Sequence, residues 1–287
     1  MAKIIAICNQ KGGTGKTTTA INLAVYLALE NSRVLLIDAD PQGNSTSGLG
    51  VDKNNIDKSL YHLLLNAATI EETILKTEIN NLSLIASNID LIGAEVELIE
   101  EDDRENRLKK ALEKVSQEYD FVIIDSPPSL GLLTLNALVS ATSVLIPVQC
   151  EYYALEGLGQ LSKTINLIQE QLNPSLKVEG VLLTMADFRT NLTTEVISET
   201  RNFFNDKVFE TIIPRSIRLS EAPGFGKPIF CYDKNSIGAQ KYSALAKEVL
   251  AHTNKEENEK KLLLEEAQLL SQQEEPASEA DHAQDSN

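Results

Sequence analysis

A short apolar run, residues 4–8, leads almost at once into Lys11-Gly12-Gly13-Thr14-Gly15-Lys16-Thr17-Thr18, after which Ala20, Leu23 and Leu27 fall at helical spacing. A strand, a glycine-rich turn and a helix in this order leave few folds open, because the backbone amides of the turn and of the helix start gather at one strand end. Further β-branched runs at 34–37, 82–85, 121–124, 144–148, 178–183 and 208–213 read as strands buried on both faces of a parallel sheet. Between most of them lie segments of helical period, such as Leu108, Ala111, Leu112 and Val115, which share one helix face. The alternation predicts an α/β fold: a doubly wound, mostly parallel sheet with helices on both faces.

The loop does not fit a strict Gly-x-x-x-x-Gly-Lys-Thr pattern, since the stretch from Gly12 to Thr17 is too short. Its physics nonetheless suits a phosphate. Gly12, Gly13 and Gly15 let the backbone approach anionic oxygens, Lys16 brings a positive charge to them, and the Thr17 hydroxyl suits Mg²⁺. The competing reading is a glycine-rich surface turn with two exposed lysines; the strand-turn-helix setting and Gly15-Lys16-Thr17-Thr18 weigh against it.

Two later runs end in carboxylates. Residues 34–37 are followed by Asp38-Ala39-Asp40-Pro41-Gln42-Gly43-Asn44, and residues 121–124 by Asp125-Ser126-Pro127-Pro128. In a doubly wound sheet ligands sit at the carboxyl ends of strands, so Asp38 and Asp125 are candidates to hold Mg²⁺ through its water shell. Asp40 is the candidate to orient the water that attacks a γ-phosphate. Taken alone, the Asp38–Asp40 pair has a weaker competing reading as acids capping a turn before Pro41, and the nearby phosphate loop weighs against it.

Lys11 is the informative extra, because Lys16 already supplies a phosphate-contacting cation. The segment Lys11 to Thr18 resembles the deviant phosphate loop of the ParA/MinD ATPases, a branch of the P-loop NTPases. Asp38-Ala39-Asp40-Pro41-Gln42-Gly43-Asn44, Ile123-Ile124-Asp125-Ser126-Pro127-Pro128-Ser129, the segment 147–157 and the segment 213–223 are similar to the ParA/Soj partition ATPases within that group, over about residues 2–252. The resemblance implies ATP and Mg²⁺ as ligands and a homodimer bridged by ATP, with Lys11 reaching the partner's phosphates. It implies hydrolysis through Asp40, with Lys11 and Lys16 in the catalytic set. It also implies adenine contacts near Pro214 and Ser216, where many relatives carry Asn in place of Ser216. Arg189 and Arg218 match positions that contribute to nonspecific DNA binding, and a ParB-like (Spo0J-like) centromere-binding protein is the implied partner.

Charge sets limits on these expectations. The chain of 287 residues has a net charge of -16, of which -7 falls in 253–287, where three Lys face ten Asp or Glu; the rest is still acidic at -9. DNA contact therefore needs a local basic patch working against the global field, and is expected to be salt-sensitive. Aromatics disappear after about residue 254, so an ATPase domain over 1–253 and an acidic, flexible tail over 254–287 are expected, with a short amphipathic helix near 260–270. An acidic tail does not suit anionic lipid, and no apolar run is long enough to span a bilayer. Cys8, Cys150 and Cys231 are odd in number and widely spaced, which suits a reducing cytoplasm and neither a disulfide framework nor a zinc site. A cytoplasmic, nucleoid-associated protein is the expectation. Two rivals keep the same fold: a MinD-like positioning ATPase for a non-DNA cargo, and a P-loop ligase or kinase acting on a small molecule.

Overall fold

The structure, a computed structural model, describes residues 2–151 and 154–273. Seven strands form one sheet: β1 (Lys3–Ile7), β2 (Val34–Asp38), β3 (Ile74–Lys76), β4 (Leu82–Ile85), β5 (Phe121–Asp125), β6 (Ser143–Gln149) and β7 (Lys177–Thr184). Their order across the sheet is β3-β4-β2-β5-β1-β6-β7, and every pairing is parallel except the antiparallel edge pair β3–β4. The strand that feeds the glycine-rich loop is thus central, flanked by β5 and β6.

Alternate strand residues go to opposite faces, and both faces are covered. Ala6, Leu35, Ile37, Val122, Ile124, Val144 and Ile146 join one core with Leu108, Ala111, Leu112 and Val115 of the helix Arg107–Val115. On the other side the helix Lys16–Leu29 packs across β1, β2, β4, β5 and β6, with Ala20, Leu23, Ala24 and Leu27 fully buried. Tyr242, from the helix Ile237–Gln273, is buried beside it and its hydroxyl lies 3.2 Å from the Thr19 hydroxyl.

Two elements differ from expectation. Residues 208–213 do not form a continuous strand; Val208 bridges Val181 of β7, and just past the segment Pro214 bridges Ala186, beyond the end of β7. Phe209 N donates to Val181 O at 3.0 Å and Ile213 N to Leu183 O at 2.9 Å, and between them the Phe209 ring fills the space above Gly180, where any Cβ would collide with it. The short β3 carries no apolar alternation long enough to announce itself, and it is added at the edge by pairing with β4.

The chain divides into two compact units, Met1–Lys247 and Glu248–Asn287. The helix Ile237–Gln273 passes the boundary expected at 253, since no Gly or Pro stands between Gly238 and Pro276 to interrupt it. The expected amphipathic helix at 260–270 lies inside this longer helix, and residues 274–287 of the expected tail lie outside the described residues. Among the described residues no helix is long and apolar enough to cross a membrane.

Candidate functional site

The carboxyl ends of β1, β2 and β5 bring the sequence candidates together. Past β1, Asn9 fixes the start of the loop: its side-chain amide donates to Pro147 O at 2.7 Å and its carbonyl accepts from Lys11 N at 3.0 Å. Gly13 and Gly15 take the left-handed conformation, with φ of 74° and 88°, which is costly for any residue with a Cβ. Gly15 then caps the helix Lys16–Leu29 without a side-chain hydrogen bond, and no acid lies in the first turn. The first amides of this helix are therefore left to bind an anion. From β7, Thr184 Oγ1 donates to Thr14 O at 2.8 Å and pins the loop from the opposite side.

The two lysines of the loop part company. Lys16 turns inward, is buried, and donates to Lys11 O at 3.0 Å. Burial lowers its pKa, while the charges of Asp125, Cys8 and Asp40 pull it back up. Lys11 turns outward: its side chain is 39% exposed, and its ammonium stands 3.5 Å from Glu151 Oε2.

Asp38 and Asp125 are paired in register on the neighbouring strands β2 and β5, and both are fully buried. Asp38 Oδ2 accepts from the amide and hydroxyl of Thr46, both at 2.7 Å; Asp125 Oδ2 accepts from Ser45 Oγ at 2.8 Å. Burial raises both pKa values, and the neighbouring Asp38 charge adds to the rise at Asp125. The hydroxyls of Ser45 and Thr17 act in the other direction on Asp125. Among the described residues Asp125 Oδ1 is buried with no hydrogen-bond partner. Two buried carboxylates side by side, one with an orphan oxygen, fit a hard divalent cation. Among the described residues no three His, Cys, Asp or Glu side chains converge on a metal position. Such a cation would draw its other ligands from Thr17, water and a bound phosphate.

Asp40 lies just past β2, nearly buried, with its Oδ1 accepting from Gln42 N at 2.9 Å. That bond fixes the turn before Gly43 and holds the carboxylate toward the loop side, where its charge is felt by Lys16. Pro214 lies beside Ala186 after β7, and Ser216 precedes the short helix Ile217–Glu221. Arg215, between them, stands 3.5 Å from Glu151 Oε1, so Glu151 links this segment to Lys11. Arg189 is exposed but engaged by Asp187 at 2.6 Å, and Arg218 by Glu221 at 3.1 Å and Asp233 at 3.6 Å.

Sequence reasoning passed over Ser45, Thr46, Thr184 and the pairing of Glu151 with Lys11. A signal existed for the first two. A run of three hydroxyl residues, Ser45-Thr46-Ser47, follows the left-handed Gly43 directly after the Asp38–Asn44 segment.

A family model described as an AAA domain matches residues 2–178. The sporulation initiation inhibitor protein Soj of Bacillus subtilis (strain 168) is 58% identical over 252 residues, covering 88% of this chain and 100% of that protein. The chromosome partitioning protein ParA of Myxococcus xanthus (strain DK1622) is 56% identical over 250 residues, covering 87% and 88%. Among solved structures, cobyrinic acid a,c-diamide synthase from Mycobacterium smegmatis, with bound ADP and magnesium, superposes with a TM-score of 0.79 at 37% identity, covering 88% of this chain and 96% of that one. With the phosphate loop, the paired carboxylates and near full-length identity in agreement, the chain belongs to the Soj/ParA family of chromosome-partitioning ATPases, within the wider ParA/MinD group.

Proposed function

We propose that this chain is a partition switch in the cytoplasm: ATP with Mg²⁺ bridges two copies, the homodimer binds DNA nonspecifically at the nucleoid, and hydrolysis returns it to monomers. The observation that carries the reading is the divergence of the two lysines. Lys16 is turned into its own loop, whereas Lys11 is half-exposed at the rim, where its ammonium faces the half-exposed Glu151 carboxylate. An exposed pair of this kind is worth roughly 0–1 kcal/mol, so little opposes its release toward a phosphate on another subunit.

In this reading the amides of Gly12, Gly13, Thr14, Gly15 and the helix start hold the phosphates, together with Lys16, Thr17 and Thr18. Thr17, Asp38 and Asp125 hold Mg²⁺ and its water shell, and the metal supplies charge neutralisation at the phosphate oxygens. Asp40 orients the attacking water, and Lys11 and Lys16 stabilise the charge that grows on the transferred group. The segment from Pro214 to Ser216 borders the adenine. Arg189 and Arg218 exchange their present carboxylates for DNA phosphates, which makes the binding steeply salt-dependent. Hydrolysis is slow until a ParB-like partner stimulates it.

Light scattering on the separated species tests the switch. In saturating ATP and Mg²⁺, Asp40→Ala should be a persistent dimer whose hydrolysis is lower by about 100-fold or more. Lys11→Ala should bind ATP and stay monomeric. A monomeric Asp40→Ala protein would overturn the reading. Retardation of DNA at low salt by the ATP form, weakened in Arg218→Ala, tests the output. Dimers that ignore DNA would instead favour a positioning ATPase. The name of the Mycobacterium smegmatis protein supports a second reading, ATP-driven amide formation on a small carboxylic acid. ATP turnover that requires such an acid and an amine donor would select it.

A further inference from the structure

Two residues of the short helix Asn44–Gly48 each claim one oxygen of the paired carboxylates that end β2 and β5. Both residues, Ser45 and Thr46, are fully buried. The chain turns back toward them at Gly43, where a Cβ would collide with the Ser87 carbonyl. Thr46 places its amide and its hydroxyl on Asp38 Oδ2, both at 2.7 Å, while its Oγ1 accepts from Ser87 N at 2.9 Å. An amide can only donate, so the single hydroxyl proton of Thr46 is committed to Asp38. Ser45 Oγ donates to Asp125 Oδ2 at 2.8 Å. The other two oxygens are far less engaged: Asp38 Oδ1 accepts from Asp40 N at a long 3.3 Å, and among the described residues Asp125 Oδ1 has no hydrogen-bond partner.

Hydroxyls that only held the turn would leave this one-sidedness without a cause. Each carboxylate is gripped at one oxygen and left open at the other, in register on neighbouring strands. A carboxylate tied in this way is fixed in rotation and offers a single oxygen to a cation or to its bound water. That arrangement suits Mg²⁺, which is small, demands near-octahedral geometry and keeps several waters. Ca²⁺ is larger, takes about six to eight oxygens and often draws both from one carboxylate. We propose that Ser45 and Thr46 are positioning residues that set the size selectivity of the cation site, holding Asp125 and Asp38 as one-oxygen donors that favour Mg²⁺ over Ca²⁺. This selectivity rests on the reading of the edge as a Mg²⁺–nucleotide site, and Ser45 and Thr46 act there through the two carboxylates. Without the Ser45 hydroxyl, Asp125 is free to turn and offer both oxygens, and the larger cation gains.

Calorimetric titration of ADP into the full chain, in excess Mg²⁺, in excess Ca²⁺ and in EDTA, reads the selectivity as the ratio of the two metal-loaded affinities. The unaltered protein should bind ADP more tightly with Mg²⁺. Ser45→Ala and Thr46→Val should each reduce the ratio at least about tenfold, the usual scale for residues that orient metal-holding groups, with affinity for ADP in EDTA alike in every protein. Thr46→Ser, which keeps the hydroxyl, should retain the ratio of the unaltered chain. Ser45→Ala, which loses one hydrogen bond, decides the matter if Thr46→Val lacks the native circular dichroism spectrum. An unchanged ratio in Ser45→Ala would overturn the proposal. So would a loss of ADP affinity equal in all three conditions, which would make the hydroxyls part of the turn alone, or equal affinities with the two metals in the unaltered protein. Absence of ADP binding by the unaltered protein in every condition would overturn the nucleotide-site reading, and this inference with it.

Discussion

At the amino-terminal edge of the sheet, Glu179 of β7 is buried, yet it takes the Lys3 ammonium at 2.8 Å and the Ser143 hydroxyl at 2.7 Å. At the carboxyl edge, Asp38 and Asp125 are buried side by side, Asp125 keeps an orphan oxygen, and the nearby Lys16 is itself desolvated. Both edges bury charge, but only the first closes its own account of hydrogen bonds and counter-charge. A satisfied buried pair belongs to the fold, whereas two buried carboxylates side by side cost stability and suit a divalent cation. The glycine-rich loop and the uncapped helix start lie at the second edge for the same reason.

The comparison breaks most sharply at the satisfied edge. Glu179→Ala removes the buried carboxylate that takes both the Lys3 ammonium and the Ser143 hydroxyl, and should lower the denaturant midpoint by the largest amount of the variants named here, while ATP affinity in the folded protein is unchanged. Equal stability would show that the pair contributes nothing to the fold. At the other edge the same kind of truncation should spare the fold and remove function. Lys16→Ala should retain its circular dichroism spectrum and lose ATP affinity by about 100-fold or more in calorimetry. Tight binding by that variant would remove Lys16 from the site.

A smaller effect sharpens the contrast. Asp125→Asn removes one of two repelling carboxyls and should stabilise the unliganded chain by about 1–2 kcal/mol, while abolishing the gain in melting temperature on adding Mg²⁺ and ATP. The pH dependence carries a definite sign. A carboxyl whose folded pKa stands above its unfolded value keeps more protons in the folded state, so its contribution to stability falls as pH rises from about 4 to the raised folded value. The unliganded wild-type melting temperature should therefore drop through that window more steeply than that of Asp125→Asn. Parallel profiles would refute the assignment.

Much of this was legible in contiguous residues. Six of the seven apolar runs became strands, with ends displaced by one residue at most, because a strand buried on both faces needs an unbroken apolar run. The seventh, 208–213, has the same composition, but Phe209 packs over Gly180 and a continuous ladder does not form. Composition cannot report that contact. The tail reads as acidic and flexible with only a short amphipathic helix near 260–270, yet nothing in it halts the longer helix before Gln273.

By itself the sequence determined the strand-loop-helix unit, the two lysines and the carboxylates that end β2 and β5, since each is encoded by neighbours along the chain. The tertiary structure decided which of these meet. Strand order sets Asp38 beside Asp125, brings Ser45 to a carboxylate 80 positions away, and leaves Glu151 opposite Lys11. Such pairings depend on register and topology, which are settled by the packing of the whole sheet and by no local run of residues.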